Sequence, residues 1–391
     1  MLQSVAPEFG DPTAFDRYRA GVDRETALRV LDGEREARVY YILQSSLFTA
    51  ADPVEPAVVA GGWLEDQTVP PTVQRRLDEF RSACRRPSTD KRFRYFCSLD
   101  GGLEQWRRDF SRAMAFLRTK EHQSREREGD GRREFVASLY RNRGLSTDSG
   151  FDANFPVYLA LRSLAAKPAP IKMNKVLIVG PGLDYAPRTG LRDAVAPQSI
   201  QPYAVMDALL QLGMASPESL AIHCVDVNPR VVAHFHHDRP RPVSLTIFKH
   251  DGPDEYLRYF ENFGRAIGTE TSGNLRSRFI HVPAQSASAI RATRLNIVSE
   301  RLVPAPQYDL VVATNILLYL SDADLSLALA NIQFMLRDGG YLVHNEPRAG
   351  VELAGAAIGM PVVDARLVRL REDDRRAILD TQVIHRKHAA P

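Results

Sequence analysis

The first part of the chain has apolar residues at helical spacing. Trp106, Phe110, Met114 and Leu117 recur every three or four positions, and Pro70-Pro71 precedes a similar series farther upstream. Apolar residues with this period form one face of an amphipathic helix, and proline is favoured in a first helical turn. The pattern therefore predicts that residues 1 to about 165 are mostly helical.

The pattern changes to short apolar runs from Lys175 onwards. Val176–Val179 is a β-branched run typical of a strand that is buried on both faces. Similar runs predict strands at 220–227, 295–300, 308–314 and 340–345, and a closing hairpin at 364–370 and 377–385. A helix is predicted at 321–337, with Ser321 in a capping box and Gly339 as its stop.

This alternation predicts an α/β fold, a Rossmann-like doubly wound sheet that is mostly parallel. The closing hairpin adds an antiparallel member. The proline-rich segment at 167–171 marks a boundary. We therefore expect a helical N-terminal domain over 1–168 and the sheet domain over 169–391.

Composition narrows the choice of partners. The 391 residues are 44% hydrophobic and 25% charged, with a formal net charge of +3. This is an ordinary globular composition, and its weak basicity gives no reason to expect a specific nucleic-acid partner. No apolar run approaches the roughly 18 residues of a membrane span, and the N-terminus lacks a basic leader with an apolar core. We expect a cytoplasmic protein without a membrane partner.

The cysteines predict neither a disulfide nor a metal site. Cys84, Cys97 and Cys224 are an odd number and lack the spacing of metal ligands. Buried, reduced thiols are the expectation, in line with a reducing compartment.

Gly180-Pro181-Gly182 directly follows the first predicted strand of the sheet. Glycines there allow a tight turn and the close approach of a ligand. Tyr185 stands where a dinucleotide fingerprint would have its third glycine, and a phosphate-binding GKS/T loop is absent. An adenosine ligand without a pyrophosphate therefore fits better than NAD or ATP. Asp226 ends the second strand, where a carboxylate either binds two ribose hydroxyls or serves as an ordinary strand-end cap.

These motifs, in this order, resemble the class I S-adenosylmethionine-dependent methyltransferases. The resemblance covers roughly residues 174–385 and rests on VLIVGPG, CVDVNP, YDLVVATNILLYL and NIQFMLRDGGYLVHNEP. The set is most similar to bacterial methyltransferase-like proteins without an assigned substrate. The resemblance implies S-adenosyl-L-methionine as cofactor, bound by the first turn, the strand-two acid and the strand-three and strand-four ends. The implied residues are Gly180, Pro181, Gly182, Leu183, Asp184, Asp226, Val227, Asn228, Glu300 and Asn315.

The chain departs from the family pattern in the first turn. Ile178 stands where the family usually has an acid, and Asp184 replaces a small residue and offers a carboxylate from the other side. Residues 183–201 look inserted, which makes them a candidate lid or specificity loop. Arg188 and Arg192 in this insertion either bind an acidic substrate or are simply solvated.

Methyl transfer from a sulfonium is an in-line displacement that needs alignment and a base for the nucleophile. Tyr319, His344 and Glu346 follow or end sheet strands and are candidate bases, each with a structural role as the alternative. No NPPY-like string and no Pro-Cys follow strand four, which disfavours methylation of adenine amino groups or of cytosine C5.

The sequence predicts a methyltransferase for a small molecule or a protein carboxylate or hydroxyl. The alternatives are a non-catalytic cofactor-binding or interaction module, motivated by Ile178, and less strongly an NAD-dependent oxidoreductase.

Overall fold

A computed structural model describes residues 11–63, 68–99, 101–121, 123, 129–185, 193, 195–274, 277–373 and 376–389. The chain divides into two compact units, the first formed by 1–25, 149–183 and 199–391 and the second by 26–148 and 184–198. The predicted boundary at 168 thus falls inside the first unit, because 149–168 belongs with the sheet.

The described helices and strands are numbered along the chain. The helices are α1 Pro12–Gln44, α2 Pro56–Gly62, α3 Pro71–Ala83, α4 Lys91–Ser98, α5 Leu103–Glu121, α6 Gly129–Arg141, α7 Phe155–Ala165, α8 Gln201–Gln211, α9 Pro229–Phe235, α10 Asp254–Asn262, α11 Ala284–Ala287, α12 Asp322–Met335 and α13 Ala349–Ala357. The strands are β1 Asp148–Ser149, β2 Lys175–Val179, β3 Asp184–Tyr185, β4 Ala221–Asp226, β5 Val243–Phe248, β6 Thr269–Asn274, β7 Ser277–Val282, β8 Ile290–Arg294, β9 Tyr308–Ala313, β10 Leu336–His344, β11 Val362–Asp373 and β12 Arg376–Arg386.

The first unit contains a seven-stranded sheet with the order β11-β12-β10-β9-β2-β4-β8. β10, β9, β2, β4 and β8 pair in parallel, whereas β12 is antiparallel to both of its neighbours. The strand order reverses its direction at β2, since the chain first builds outward to β4 and β8 and then returns to β9. This is the predicted doubly wound, mostly parallel sheet with a closing hairpin, and the fold prediction is confirmed.

Both faces of the sheet are covered, as the short apolar runs predicted. In β2, Val176 and Ile178 belong to one core, whereas Leu177 and Val179 belong to the core on the other face. Residues of α7, α8 and α10 fill the first core, and residues of α12 and α13 fill the second. Because successive side chains of a strand point to opposite faces, a four-residue apolar run supplies both cores.

The predicted third strand is wrong by about one strand length. β8 is Ile290–Arg294, and residues 295–300 form a turn instead of the predicted strand. Both segments have apolar residues, but Ile290–Arg294 pairs in parallel with β4 from Ile222 to Asp226. The 295–300 turn closes on itself, since the backbone N–H of Asn296 donates to Glu300 Oε2 at 2.7 Å. Sheet pairing, which a local pattern does not encode, decided between the two segments.

The predicted helix after strand four is confirmed, but its predicted stop is wrong. Ser321 caps α12 by accepting from the Asp324 N–H, as the capping box requires. The helix ends at Met335, and Gly339, with φ +76°, lies inside β10 rather than at the helix end. The insertion between β4 and β8 contains α10 and a second, three-stranded antiparallel sheet.

The second unit has its own helical core. Buried residues of α1, α3, α4 and α5 form it, including Tyr41, Phe80 and Phe110. Arg76 is fully buried there and donates to the carbonyls of Ile42, Ser45, Ala51 and Asp52 near the end of α1. Carbonyls at a helix end have no intrahelical donors, so this guanidinium satisfies groups that burial would otherwise leave unpaired.

The prediction of reduced cysteines is wrong for two of them. Cys84 and Cys97 form a disulfide with their Cα atoms 5.5 Å apart, joining the end of α3 to α4. Cys224 is a buried free thiol, as predicted. A cysteine count could not reveal the pair, because the fold brings two residues 13 positions apart into bonding distance. Among the described helices, none is both long and apolar enough to cross a membrane.

Candidate active site

The glycine turn lies at the carboxyl end of the central strand β2. Gly180 has φ +67° and Gly182 has φ +70°, a backbone region that favours glycine. The Gly180 N–H donates to the Val225 carbonyl at 2.8 Å, which ties the turn to the end of β4. Pro181 and Leu183 are buried beside the turn, and the Ser199 hydroxyl donates to the Pro181 carbonyl at 3.3 Å. The turn is therefore a rigid feature held from two sides.

Asp226 lies next to this turn, as predicted. It ends β4, whose Val225 is the parallel partner of Val179 in β2. Asp226 Oδ1 accepts the Asn228 N–H at 2.8 Å, and the Asn228 side chain in turn accepts from Arg230 to cap α9. The strand-end cap that the sequence left as an alternative is therefore present. A carboxylate has about four acceptor sites, so this role is compatible with ligand binding.

The strand order reverses between β2 and β9, which makes the gap between their carboxyl ends the expected ligand crevice. Asn315 follows β9 there, is exposed and has φ +58°. Ile316 packs directly on the glycine turn, because a Cβ added to Gly180 would lie 2.1 Å from Ile316 Cδ1. Glycine at 180 is thus required by a neighbouring side chain, and Ile316 fills part of the space in front of the turn.

A polar cluster that the sequence did not predict lies at the carboxyl edge beyond β9. The Asn345 amide donates to Asn315 Oδ1 at 2.8 Å and to both oxygens of Asp380 at 3.2 Å. Asn345 Oδ1 accepts the Asn315 N–H at 2.8 Å. Burial raises the pKa of Asp380, while the bonds from Asn345 and from the Thr381 N–H oppose that shift. The cluster holds a carboxyl group with raised proton affinity beside an exposed asparagine.

Gln201, which was not predicted as a site residue from the sequence, is the first residue of α8. Its Nε2 donates to Thr314 Oγ1 at 2.6 Å, and both residues are buried. Gln201 Oε1 is buried without a hydrogen-bond donor in the described part of the chain. An unsatisfied buried acceptor is costly, which makes this oxygen a candidate ligand contact. The only signal in the sequence is its place at the start of the helix after the glycine turn.

His344, whose role as a base stays a prediction, ends β10. It is buried, its Nδ1 accepts the Glu346 N–H at 3.1 Å, and its Nε2 lies 2.9 Å from His385 Nε2. His385 Nδ1 in turn lies 2.7 Å from the Met360 carbonyl. Burial and the neighbouring His385 lower the pKa of His344 well below its ordinary value. Both ring nitrogens are engaged, so the structure supports the structural alternative for His344.

The other two candidate bases, Tyr319 and Glu346, are also buried. Tyr319 lies in a 3₁₀ turn, Leu317–Tyr319, after β9. Glu346 Oε1 accepts the Arg348 N–H at 3.2 Å and lies 3.3 Å from Arg348 Nε. Arg348 also donates to the carbonyls of Leu317 and Leu320, so Glu346 helps to brace the loop after β9. Their roles as bases stay predictions.

The remaining predicted residues are placed differently. Glu300 is exposed and lies six positions beyond Arg294, the end of β8, so it does not occupy the predicted strand end. Val227 follows Asp226 directly and is half-buried. For Asp184 the structure describes the backbone, in β3, while its side chain and Arg188 and Arg192 lie outside what the structure describes.

No protein-family model matches the chain, and no curated protein matches it either. Solved structures do. The N-methyltransferase NodS from Bradyrhizobium japonicum with S-adenosyl-L-homocysteine is 14% identical, with a TM-score of 0.31 over 59% of this chain and 85% of that one. A TehB-like methyltransferase from Corynebacterium glutamicum is 12% identical, with a TM-score of 0.30 over 67% and 100%. The magnesium protoporphyrin IX methyltransferase from Synechocystis is 9% identical, with a TM-score of 0.29 over 59% and 80%.

All three are described as methyltransferases.

Proposed function

We propose that the protein is an S-adenosylmethionine-dependent methyltransferase that acts on a small molecule or on a protein carboxylate or hydroxyl. The observation that carries this proposal is the rigid turn Gly180–Gly182 next to Asp226, at the point where the strand order reverses. Open α/β sheets bind nucleotide-like ligands at such points. The turn offers the close backbone approach that an adenosyl sulfonium requires.

The residues around the crevice fit this cofactor. Asp226, which accepts the Asn228 N–H, would also accept hydrogen bonds from the two ribose hydroxyls. The orphaned Gln201 Oε1 would accept from the amino group of the methionine portion. The bound cofactor supplies an electrophilic methyl group, and the chain supplies alignment of the acceptor with it.

Asp380 is the group in the described structure that best fits a base. It lies at the acceptor side of the crevice, held by Asn345, and its raised pKa makes it a better proton acceptor than an ordinary aspartate. Asn315 and Asn345 would orient the acceptor. Asp380 would take the proton of an acceptor hydroxyl or carboxyl during methyl transfer.

Asp226→Ala tests the cofactor site. We expect calorimetry to show that S-adenosylhomocysteine binds the variant about 10- to 100-fold more weakly, the effect of losing a charge-assisted hydrogen bond. Asp226→Asn keeps an oxygen that can accept the Asn228 N–H, so its affinity for S-adenosylhomocysteine should lie between those of Asp226→Ala and the wild type. Glu218→Ala is the matched control, because this exposed carboxylate lies before the opposite end of the same strand. Unchanged affinity in a folded Asp226→Ala protein contradicts the assignment.

A non-catalytic module of the same fold is the second candidate, favoured by the packing of Ile316 on Gly180. Ile316→Ala distinguishes the two. If the side chain blocks the crevice, the truncation creates or strongly increases S-adenosylhomocysteine affinity, whereas an open crevice predicts a small change. Release of labelled methyl groups to a metabolite panel then separates turnover from binding, and a parallel NADH titration tests the oxidoreductase alternative.

A further inference from the structure

The second unit contains a pocket that the proposed methyl transfer does not use. Its volume is ≈ 230 Å³, below the range of about 300–1,000 Å³ typical of drug-sized ligands. Leu77, Phe80, Phe96 and Leu103 supply apolar walls, and the Cys84–Cys97 disulfide is part of the lining. The disulfide joins two of the helices that form the wall and so limits how far they can separate.

Two buried donors of this lining have no acceptor. Arg38 is 4% exposed and Trp106 is 3% exposed. Arg38 Nε and Trp106 Nε1 both lack a hydrogen-bond partner within the described residues. The other guanidinium nitrogens of Arg38 are engaged, by the Leu99 carbonyl at 2.6 Å and by Asp109 at 3.1 Å. Leaving a buried donor unpaired costs free energy, so each N–H favours a ligand that brings an acceptor.

The charge around the pocket favours an anion. Arg81 and Arg85 are exposed and line it together with Arg38, and no acidic side chain is in the lining that the structure describes. Asp109 balances the charge of Arg38, so Arg81 and Arg85 provide the excess positive charge. The apolar walls favour a ligand with an apolar body over a strongly hydrated inorganic ion.

We propose that this pocket is a binding site for a small organic carboxylate with an apolar body, such as an aromatic acid. One carboxylate supplies acceptors for both buried N–H groups, and its ring or chain packs between the apolar walls. The two exposed arginines attract the anion and contact it near the mouth. The pocket belongs to the second unit, and the cofactor crevice proposed above belongs to the first.

Benzoate binding to the full-length protein tests the proposal. The protein contains two tryptophans, and Trp106 lines the pocket, so benzoate should change the tryptophan fluorescence saturably. We expect a dissociation constant of about 0.1–1 mM for so small a ligand. Benzamide, a neutral compound of the same shape, should bind about tenfold more weakly because it lacks the charge-assisted acceptor. Inorganic phosphate should neither bind measurably nor compete.

Variants separate the two parts of the site. Trp106→Phe keeps the aromatic ring and removes the N–H, and calorimetry should show about tenfold weaker benzoate binding. The double variant Arg81→Gln/Arg85→Gln changes only exposed side chains, so the protein should still fold. Its benzoate binding should be about two- to fivefold weaker. Arg86→Gln is the matched control, because Arg86 is exposed on the same segment but does not line the pocket.

Several results would overturn the proposal. These are no saturation by benzoate well above the expected range, equal binding of benzoate and benzamide, competition by phosphate, or equal effects of the Arg86 and Arg81/Arg85 substitutions. S-adenosylhomocysteine titration of the same samples reports separately on the proposed methyltransferase site, so failure of one proposal is distinguishable from failure of the other.

Discussion

The two halves of the crevice are built in different ways. In the proposed cofactor half, Gly180–Gly182 and Asp226 follow single strands directly; the Gly180 N–H bonds to the neighbouring strand end, and Asp226 bonds to a residue two positions along the chain. In the acceptor half, Asn315, Asn345 and Asp380 come from segments 30 and 35 residues apart and meet only through the sheet. The contrast shows that one local motif marks the first half, whereas no single motif spans the residues of the second half.

Removing the carboxylate of the acceptor half should have the largest effect. Asp380→Asn keeps an oxygen for the bonds from Asn345 and Thr381 but removes the base. We expect turnover with an acceptor from the methyl-release panel to fall by about 10²- to 10⁴-fold, while cofactor affinity is unchanged. In the wild type, turnover should rise with pH through a pKa above that of an ordinary aspartate, and the variant should lose this limb of the profile.

Asp364→Asn is the control for that experiment, because Asp364 lies in the adjacent strand β11 and accepts from Gln382 at 3.4 Å. If Asp380→Asn and Asp364→Asn lose activity equally, Asp380 is not a specific base, and the proposed role of the acceptor half is wrong.

The buried histidine pair should affect stability rather than chemistry. The folded pKa of His344 is below its unfolded value, so below about pH 6.5 the unfolded chain binds more protons at this site and stability falls as pH falls. His344→Gln should make the unfolding free energy, measured by urea denaturation, less dependent on pH by up to about 1.4 kcal/mol per pH unit.

His388→Gln, at an exposed position, is the comparison for the His344 variant in the same denaturation experiment. A pH-activity limb that disappears in His344→Gln without a change in the stability slope would instead support the base that the sequence suggested.

Substitutions that test the left-handed backbone conformation of Asn315 should have a smaller effect on the free energy of unfolding. Asn315→Ala places an ordinary side chain at φ +58° and should cost about 1 kcal/mol of unfolding free energy, whereas Asn315→Gly should cost less. Both variants lose the side-chain bond to Asn345, so the difference between them measures backbone strain alone. Equal destabilisation would show that the bond to Asn345, rather than the backbone, dominates.

Gln201→Met should have the smallest effect and tests the cofactor half. The substitution keeps side-chain length and removes the orphaned oxygen, and S-adenosylhomocysteine should bind about two- to tenfold more weakly by calorimetry. Ser199→Ala changes a neighbouring bond to the turn without touching that oxygen. Affinity lost equally in both variants would point to the turn rather than to Gln201.

Sequence patterns predicted the structure correctly where the conformation of a segment depends on residues within that segment. The apolar run of β2 predicted two covered faces, and Ser321 predicted the helix start that it caps. The pattern failed for β8, because two neighbouring segments were both apolar and only pairing with β4 chose between them. It also failed for Gly339, whose positive φ lies where the register of β10 with β9 shifts, between Leu336 and Tyr341.

By itself, the sequence determined the alternation of strands and helices, the doubly wound sheet and the place of the glycine turn, because these follow from the period of apolar residues and from backbone preferences within a few positions. Only the tertiary structure decided that Ile316 rests on Gly180, that His344 pairs with His385, that Cys84 bonds to Cys97, and that Asp380 lies beside Asn345. Each of these contacts joins residues far apart along the chain, and which distant side chains meet depends on the packing of the whole unit.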